Sequence, residues 1–286
     1  MQHKNYTTNK VQFTEFDSLG DYIRFAKDNP TPKDSNQPNS GGSFNYTANL
    51  AEACNLALHG WDEIRAEVDA QLDELVEHIN DAFGEFYVSE HSTSGAFVDM
   101  GRFVTGEPEC MVSFVSEPQS RMGRVVKIVV NGVVSGHVHA DIIKKRGIAV
   151  LALVDTIHKL GVGIELWWEE SMTGAGSSKK EFSTLVKLHS SEEPMDINSL
   201  MFSLAHPDML RRLQFSVQEQ HKDWKEQGAY TGGSYGSVHD LFSPANCDYD
   251  VVVEKLQNGD QAIVKDTLKW VLSTVQGLGL VEEVNA

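Results

Sequence analysis

A chain of 286 residues and 31.7 kDa, 41% hydrophobic and 23% charged, has the composition of an ordinary globular protein with one large domain or two modest ones, which excludes the fibrous and disordered classes. The longest apolar run, residues 148–154, is about a third of the roughly 20 residues a membrane span needs; the start Met1-Gln2-His3-Lys4-Asn5-Tyr6 lacks the apolar core of a secretory signal, and the three cysteines are scattered (Cys54, Cys110, Cys247), so a reducing cytoplasm is the expected home. The net charge of −17 divides into −11 over residues 1–101, +2 over 102–187 and −8 over 188–286, which argues against a passive coat on a polyanion and confines any phosphate-contacting groove to the middle, where distant carboxylates are screened beyond a Debye length of about 8 Å.

In chain order, residues 1–46 are expected to be a flexible segment with one short helix at 18–27, followed by a mobile Pro-, Gly-, Asn- and Ser-rich connector at 29–43. Residues 47–94 form an acidic helical region: Leu50, Ala53, Cys54 and Ala57 precede Gly60, and Trp61, Ile64, Val68, Leu72, Leu75, Val76, Ile79 and Phe83 then recur at three- and four-residue steps. Asp62, Glu63, Glu67, Asp69, Asp73, Glu74, Glu77 and Asp81 mark the solvated face of the second helix. Residues 95–286 read as an α/β domain. Runs at 110–115 and 125–130 predict a β-hairpin with a basic turn, and a helix at 141–160 capped near Gly161 leads to a strand at 164–168, which together make a right-handed βαβ crossover. A strand at 182–189, a helix from 199 to 212, strands at 213–219 and 250–254, and a closing helix at 260–276 complete an α/β fold with a mixed sheet, an antiparallel hairpin and an amino-terminal helical region.

Few constellations carry chemistry. His137-Val138-His139 puts two imidazoles on one side of an extended segment, with His158 and Cys110 as conceivable further ligands, but a second tight ligand pair is missing and surface histidines are the default. Gly232-Gly233-Ser234-Tyr235-Gly236 matches the letters of a nucleophile elbow without the flanking strand and helix, and the pairs Glu107/Glu109 and Glu169/Glu170 have no specified environment. No catalytic residue, metal or cofactor is expected, and no phosphate loop or dinucleotide fingerprint occurs. More informative is Lys144-Lys145-Arg146-Gly147 at the start of a nearly all-apolar helix, where cations and a helix amino terminus suit a phosphate oxygen about as well as solvent.

The stretches Val98-Asp99-Met100-Gly101-Arg102-Phe103-Val104-Thr105-Gly106-Glu107-Pro108-Glu109-Cys110-Met111, Arg146-Gly147-Ile148-Ala149-Val150-Leu151-Ala152-Leu153-Val154-Asp155 and His206-Pro207-Asp208-Met209-Leu210-Arg211-Arg212-Leu213 resemble the signature stretches of a family of bacteriophage proteins, over about residues 95–215. The acidic chain with an isolated basic middle is similar to the Drc-type single-stranded-DNA-binding RNA polymerase cofactors of lytic podoviruses within such phages. The resemblance implies a fold that is not an oligonucleotide-binding barrel, binding of single-stranded DNA with little sequence preference, a phage RNA polymerase as partner, and the cytoplasm of an infected bacterium as the location; self-association is left open. On that reading Arg102, Arg121, Arg124, Lys127, Lys144, Lys145, Arg146, Lys179 and Lys180 supply the basic contacts, and Phe103, Tyr230 and Tyr235 stack on bases.

A second resemblance competes. The strand at 126–130, the helix at 141–160 and the strand at 164–168 are similar to the opening βαβ of von Willebrand A-like domains such as those of cobalt-chelatase subunits. It implies an interaction scaffold that works beside an ATPase and binds no DNA, with a divalent metal held by D-x-S-x-S after the first strand; here that stretch is Asn131-Gly132-Val133-Val134-Ser135, without the aspartate.

Overall fold

The computed structural model describes residues 3–28, 45–61, 65–66, 68–70, 73, 87–116, 124–173, 181–220, 239–245 and 247–281. Among them the strands form two sheets. The larger holds β1 (His3–Thr8), β2 (Val11–Phe16), β6 (Val125–Asn131), β7 (Gly163–Thr173), β8 (Glu181–His189) and β9 (Val251–Val253), in the order β1-β2-β8-β7-β6-β9. The smaller holds β3 (Tyr87–Ser92), β4 (Phe97–Val98) and β5 (Met111–Ser116), in the order β3-β5-β4 and antiparallel throughout. Helices α1 (Leu19–Asp28), α2 (Leu50–His59), α3 (Met100–Thr105), α4 (Ala140–Lys159), α5 (Ile197–Ala205), α6 (Phe215–Gln218), α7 (Ala262–Lys265) and α8 (Thr267–Gly277) are also described, with a π-helical segment, Met209–Gln214, leading directly into α6 and a 3-10 turn at Ser243–Ala245. The architecture is mixed α/β. No described helix is long and apolar enough to cross a membrane.

The crossover read from sequence is present: β6 and β7 are parallel, in register from Val125 opposite Gly163 to Asn131 opposite Glu169, and α4 joins them. Alternation explains which side chains meet the helices. Val126, Ile128 and Val130 share one face with Ile164, Leu166 and Trp168, and this face packs in a single core with residues 148–154 of α4, Ala53 and Ala57 of α2, Leu200 and Phe202 of α5, and Val271 and Val275 of α8. On the opposite face Val11, Phe13 and Leu185 cluster with Trp167 and Phe242.

Three expectations are corrected. The amino terminus, read as flexible with one helix, carries the antiparallel hairpin β1–β2, and β2 adds in parallel to β8; the alternation of Val11, Phe13, Thr14 and Phe16 is short, and only its long-range partner makes it a strand. The runs at 110–115 and 125–130 do not form a hairpin: β5 lies in the small sheet, whereas β6, buried on both faces from Ile128 onward, is a central strand with parallel neighbours on each side. Residues 213–218 are helical rather than extended: Leu213, Phe215 and Val217 alternate with polar residues as in a half-exposed strand, but Gln214, Ser216 and Gln218 are buried too, with Gln214 donating to Glu170 and Thr184, so the alternation marks no solvent face. The connector 29–43, most of the acidic helix and the chain's last five residues lie outside the described part.

Helices α4 and α5 approach closely at Gly147, where an added Cβ would sit 2.6 Å from both the Ala205 Cβ and the Leu204 carbonyl oxygen. Gly147→Ala is therefore expected to destabilise the protein by about 1–3 kcal/mol, since neither obstacle is a flexible side-chain end. In a chain of this size each kcal/mol lowers the midpoint by roughly 2–4 °C in a thermal melt, and an unchanged midpoint would mean that the two helices separate freely.

Candidate site at the carboxyl ends of the parallel strands

In open α/β sheets ligands favour the crevice beyond the carboxyl ends of the strands. Here the parallel strands end at β6, which pairs with β7 on one side and β9 on the other, and the loops that follow β6 and β9 meet there. The chain fills this crevice with its own backbone and side chains. The Ser135 amide donates to the Leu256 carbonyl at 2.9 Å and the Leu256 amide donates back to the Val133 carbonyl at 3.1 Å, so the two loops extend the parallel pairing. Val134, Val138, Ile143 and Leu256 are buried together beneath Ile142, Leu210 and Val264, and Arg211 donates to the Val138 carbonyl at 3.2 Å. Gly132 lies so close to the Trp168 indole that a Cβ there would overlap the ring. Around this plug, Gly136, His137, His139, Lys145, Gln257, Asn258 and Asp260 form an exposed polar rim.

Asn131 closes the bottom of the crevice. Its side-chain oxygen accepts from the Val133 amide at 2.9 Å, its amide nitrogen donates to the His239 carbonyl at 3.0 Å, and its own carbonyl accepts from the Arg146 guanidinium. Arg146 is only 5% exposed, and burial lowers its pKa to about 10, which leaves it a cation at neutral pH. A divalent metal does not fit here: the expected aspartate is an asparagine already engaged on both side-chain atoms, Val133 and Val134 are apolar, and the nearest charge is positive. Among the described residues no group of three or more His, Cys, Asp and Glu side chains could hold a metal ion; His137 and His139 point to solvent.

The described residues expected to contact DNA stand on several different elements. Arg102 and Phe103 stand on α3, where Arg102 pairs with Glu107 at 3.4 Å and reaches the Glu109 carbonyl at 3.5 Å. Arg124 donates to the Leu278 carbonyl at 2.7 Å, and Lys127 is exposed on β6. Lys144 is half-buried and Lys145 exposed, but Arg146 is turned inward and is not a surface contact. Successive helical residues are about 100° apart, so three neighbouring cations cannot share one face, and Arg146 falls in line with Ile143 and Val150 on the buried side. Those apolar neighbours were the signal that it would be withdrawn from solvent. Arg121, Lys179, Lys180, Tyr230 and Tyr235 lie outside the described residues, as does the Gly232–Gly236 motif.

Two buried polar clusters escaped sequence reasoning. Asp208 and Arg212, one helical turn apart and both fully buried, lie 3.7 Å apart, and Asp208 also accepts from the Thr47 amide at 2.7 Å and the Thr47 hydroxyl at 2.6 Å. Glu169, on the central strand β7, accepts from the hydroxyls of Ser171, Ser183 and Ser243 and from the amides of Phe242 and Ser243, each at 3.1 Å, which pins the segment before β9 across the sheet. The four-residue spacing of Asp208 and Arg212 is visible in sequence; their burial is not. Residues 3–282 of the chain match the family described as a Domain of unknown function, DUF7192. No curated protein and no solved structure matches the chain.

Proposed function

The chain belongs to the DUF7192 family, and from that premise we propose that it is a non-catalytic interaction scaffold of von Willebrand A-like build that engages its partner without a bridging metal. The observation that carries this reading is the filled crevice at the carboxyl end of β6. A nucleotide- or substrate-binding α/β protein would keep that crevice open, whereas here the Val134–Leu256 plug and the buried Arg146 guanidinium occupy it. At this crevice the surface left for recognition among the described residues is the exposed rim carrying His137, His139 and Lys145, suited to a macromolecule rather than a small ligand. The antiparallel β7–β8 pair and the second parallel neighbour of β6 extend the opening βαβ in a way that agrees with the same reading.

Two measurements test it. Millimolar magnesium or manganese is expected to leave the thermal midpoint unchanged, because a ligand stabilises only the folded state it binds. In a gel shift at about 50 mM salt, where phosphate contacts are strong, a labelled single strand is expected to show no retarded species. A metal-dependent rise in midpoint would overturn the metal-free part of the proposal. Retardation that weakens steeply with salt would favour a single-stranded-DNA-binding polymerase cofactor instead, with the exposed Lys127, Lys145 and Phe103 as its first candidates for substitution.

A further inference from the structure

The small sheet and α3 present a surface that the scaffold reading does not use. Over eight residues of chain, Phe97, Val98, Met100, Phe103 and Val104 are all exposed, with Met100 at 61%, Phe103 at 59% and Val104 at 77%. Scattered single apolar side chains need no explanation, but a contiguous run of this size marks a contact surface. No described side chain from 91 to 113 is buried. Phe97, Val98, Met100, Phe103 and Val104 thus leave apolar surface in water that a partner would cover.

Charge around the patch selects what completes it. Asp99 caps α3 by accepting from the Gly101 and Arg102 amides, and the Arg102 amide, followed by His91, holds its carboxyl below the ordinary carboxylate range, so it stays anionic. Glu107 and Glu109 are exposed beside it, and the one arginine of the stretch is paired with Glu107. The rim is therefore net negative around an apolar centre. A nucleic acid strand meets repulsion there, and a second copy of this chain brings the same acidic rim against its own.

We propose that the α3 face of the small sheet, with Met100, Phe103 and Val104 at its centre and Asp99, Glu107 and Glu109 at its rim, docks a basic amphipathic segment of another protein. Apolar side chains of that segment cover the exposed patch, while its lysines or arginines meet the carboxylates and set orientation and approach.

The test uses the full-length protein and a fluorescent leucine–lysine peptide of about 18 residues, five helical turns. Two controls accompany it: the same leucine pattern with glutamates, and a lysine-only peptide. Anisotropy is expected to rise with the leucine–lysine peptide alone. Met100→Ser with Phe103→Ser, and separately Glu107→Gln with Glu109→Gln, are each expected to weaken binding at least about tenfold, or 1.4 kcal/mol. Val104→Lys, at the most exposed position, is a third variant that leaves folding undisturbed, verified by an unchanged thermal midpoint. Binding unaltered by all three variants overturns the proposal. So does light scattering that shows a dimer broken by Phe103→Ser, which would assign the face to a second copy, and so does a labelled single strand whose binding is lost in the same variant. These readouts are independent of the metal and rim measurements above.

Discussion

Asp208→Ala is expected to destabilise the folded chain by about 3–5 kcal/mol, the usual cost of breaking a buried ion pair from one side. The carboxylate accepts from the Tyr46 amide at 3.0 Å, the Thr47 amide at 2.7 Å and the Thr47 hydroxyl at 2.6 Å, and it neighbours the fully buried Arg212, which itself donates to the Thr47 carbonyl at 2.8 Å. Alanine removes the counter-charge of Arg212 and the acceptors of two backbone amides at once, so the desolvation of three donors goes uncompensated. Thr47→Val deletes one hydroxyl contact and is expected to cost about 1 kcal/mol. Urea unfolding at constant m-value measures both. An Asp208→Ala loss below about 1 kcal/mol would show that the segment before α2 is not anchored through this carboxylate.

A pH dependence follows from Glu170. Its carboxyl lies on the helix-facing side of β7, fully buried, and burial raises its pKa to about 7 despite hydrogen bonds from Gln218 and from Gln214, the latter at 3.0 Å; the charge of Glu169 adds to the rise. In the unfolded chain the same group ionises near 4.5. Below that value both states hold the proton and the group is silent. Between about 4.5 and 7 the unfolded chain loses its proton while the folded one keeps it, so stability falls as pH rises, and above the folded pKa the loss is complete at on the order of 3 kcal/mol. The difference in unfolding free energy between wild type and Glu170→Gln, measured from pH 4 to 8, is expected to change through this window in that direction. A difference that stays flat, or that moves the other way, would show that Glu170 is ionised in the fold throughout. The Tyr22 hydroxyl donates to Gln214 at 3.0 Å, and Gln214 donates to Thr184 at 3.1 Å, so the titration reaches α1 and β8 through one buried amide.

Both effects arise from side chains whose environments are assembled over long separations in sequence, and this separates what could be read in the chain from what could not. The crossover was legible because its signals are local: seven apolar residues from Ile148, a glycine after the last helical turn at Gly161, and an alternating strand immediately after. The order of helix and strand patterns along the chain also carried the α/β class. Arg146 shows where local reading ended. Beside Lys144 and Lys145 it looked like one of three surface cations, but its direction depends on helix phase and its partner is a carbonyl of the preceding strand.

The same limit explains β1 and β2, whose few residues become strands only because β8 offers an edge, and residues 213–218, whose apolar–polar alternation suggests a strand although Gln214, Ser216 and Gln218 are buried as well. Within the candidate site, the missing aspartate at Asn131 was visible in the letters. The plug at Val134 and Leu256 was not, since those residues are separated by most of the domain and meet only once β9 pairs with β6. The sequence alone therefore determined composition class, the central βαβ unit and the absence of the metal-binding pattern, because propensity and period act over a few residues. Tertiary structure alone decided strand partners, which charges are buried and which apolar surface is left exposed, because each depends on what distant chain happens to cover it.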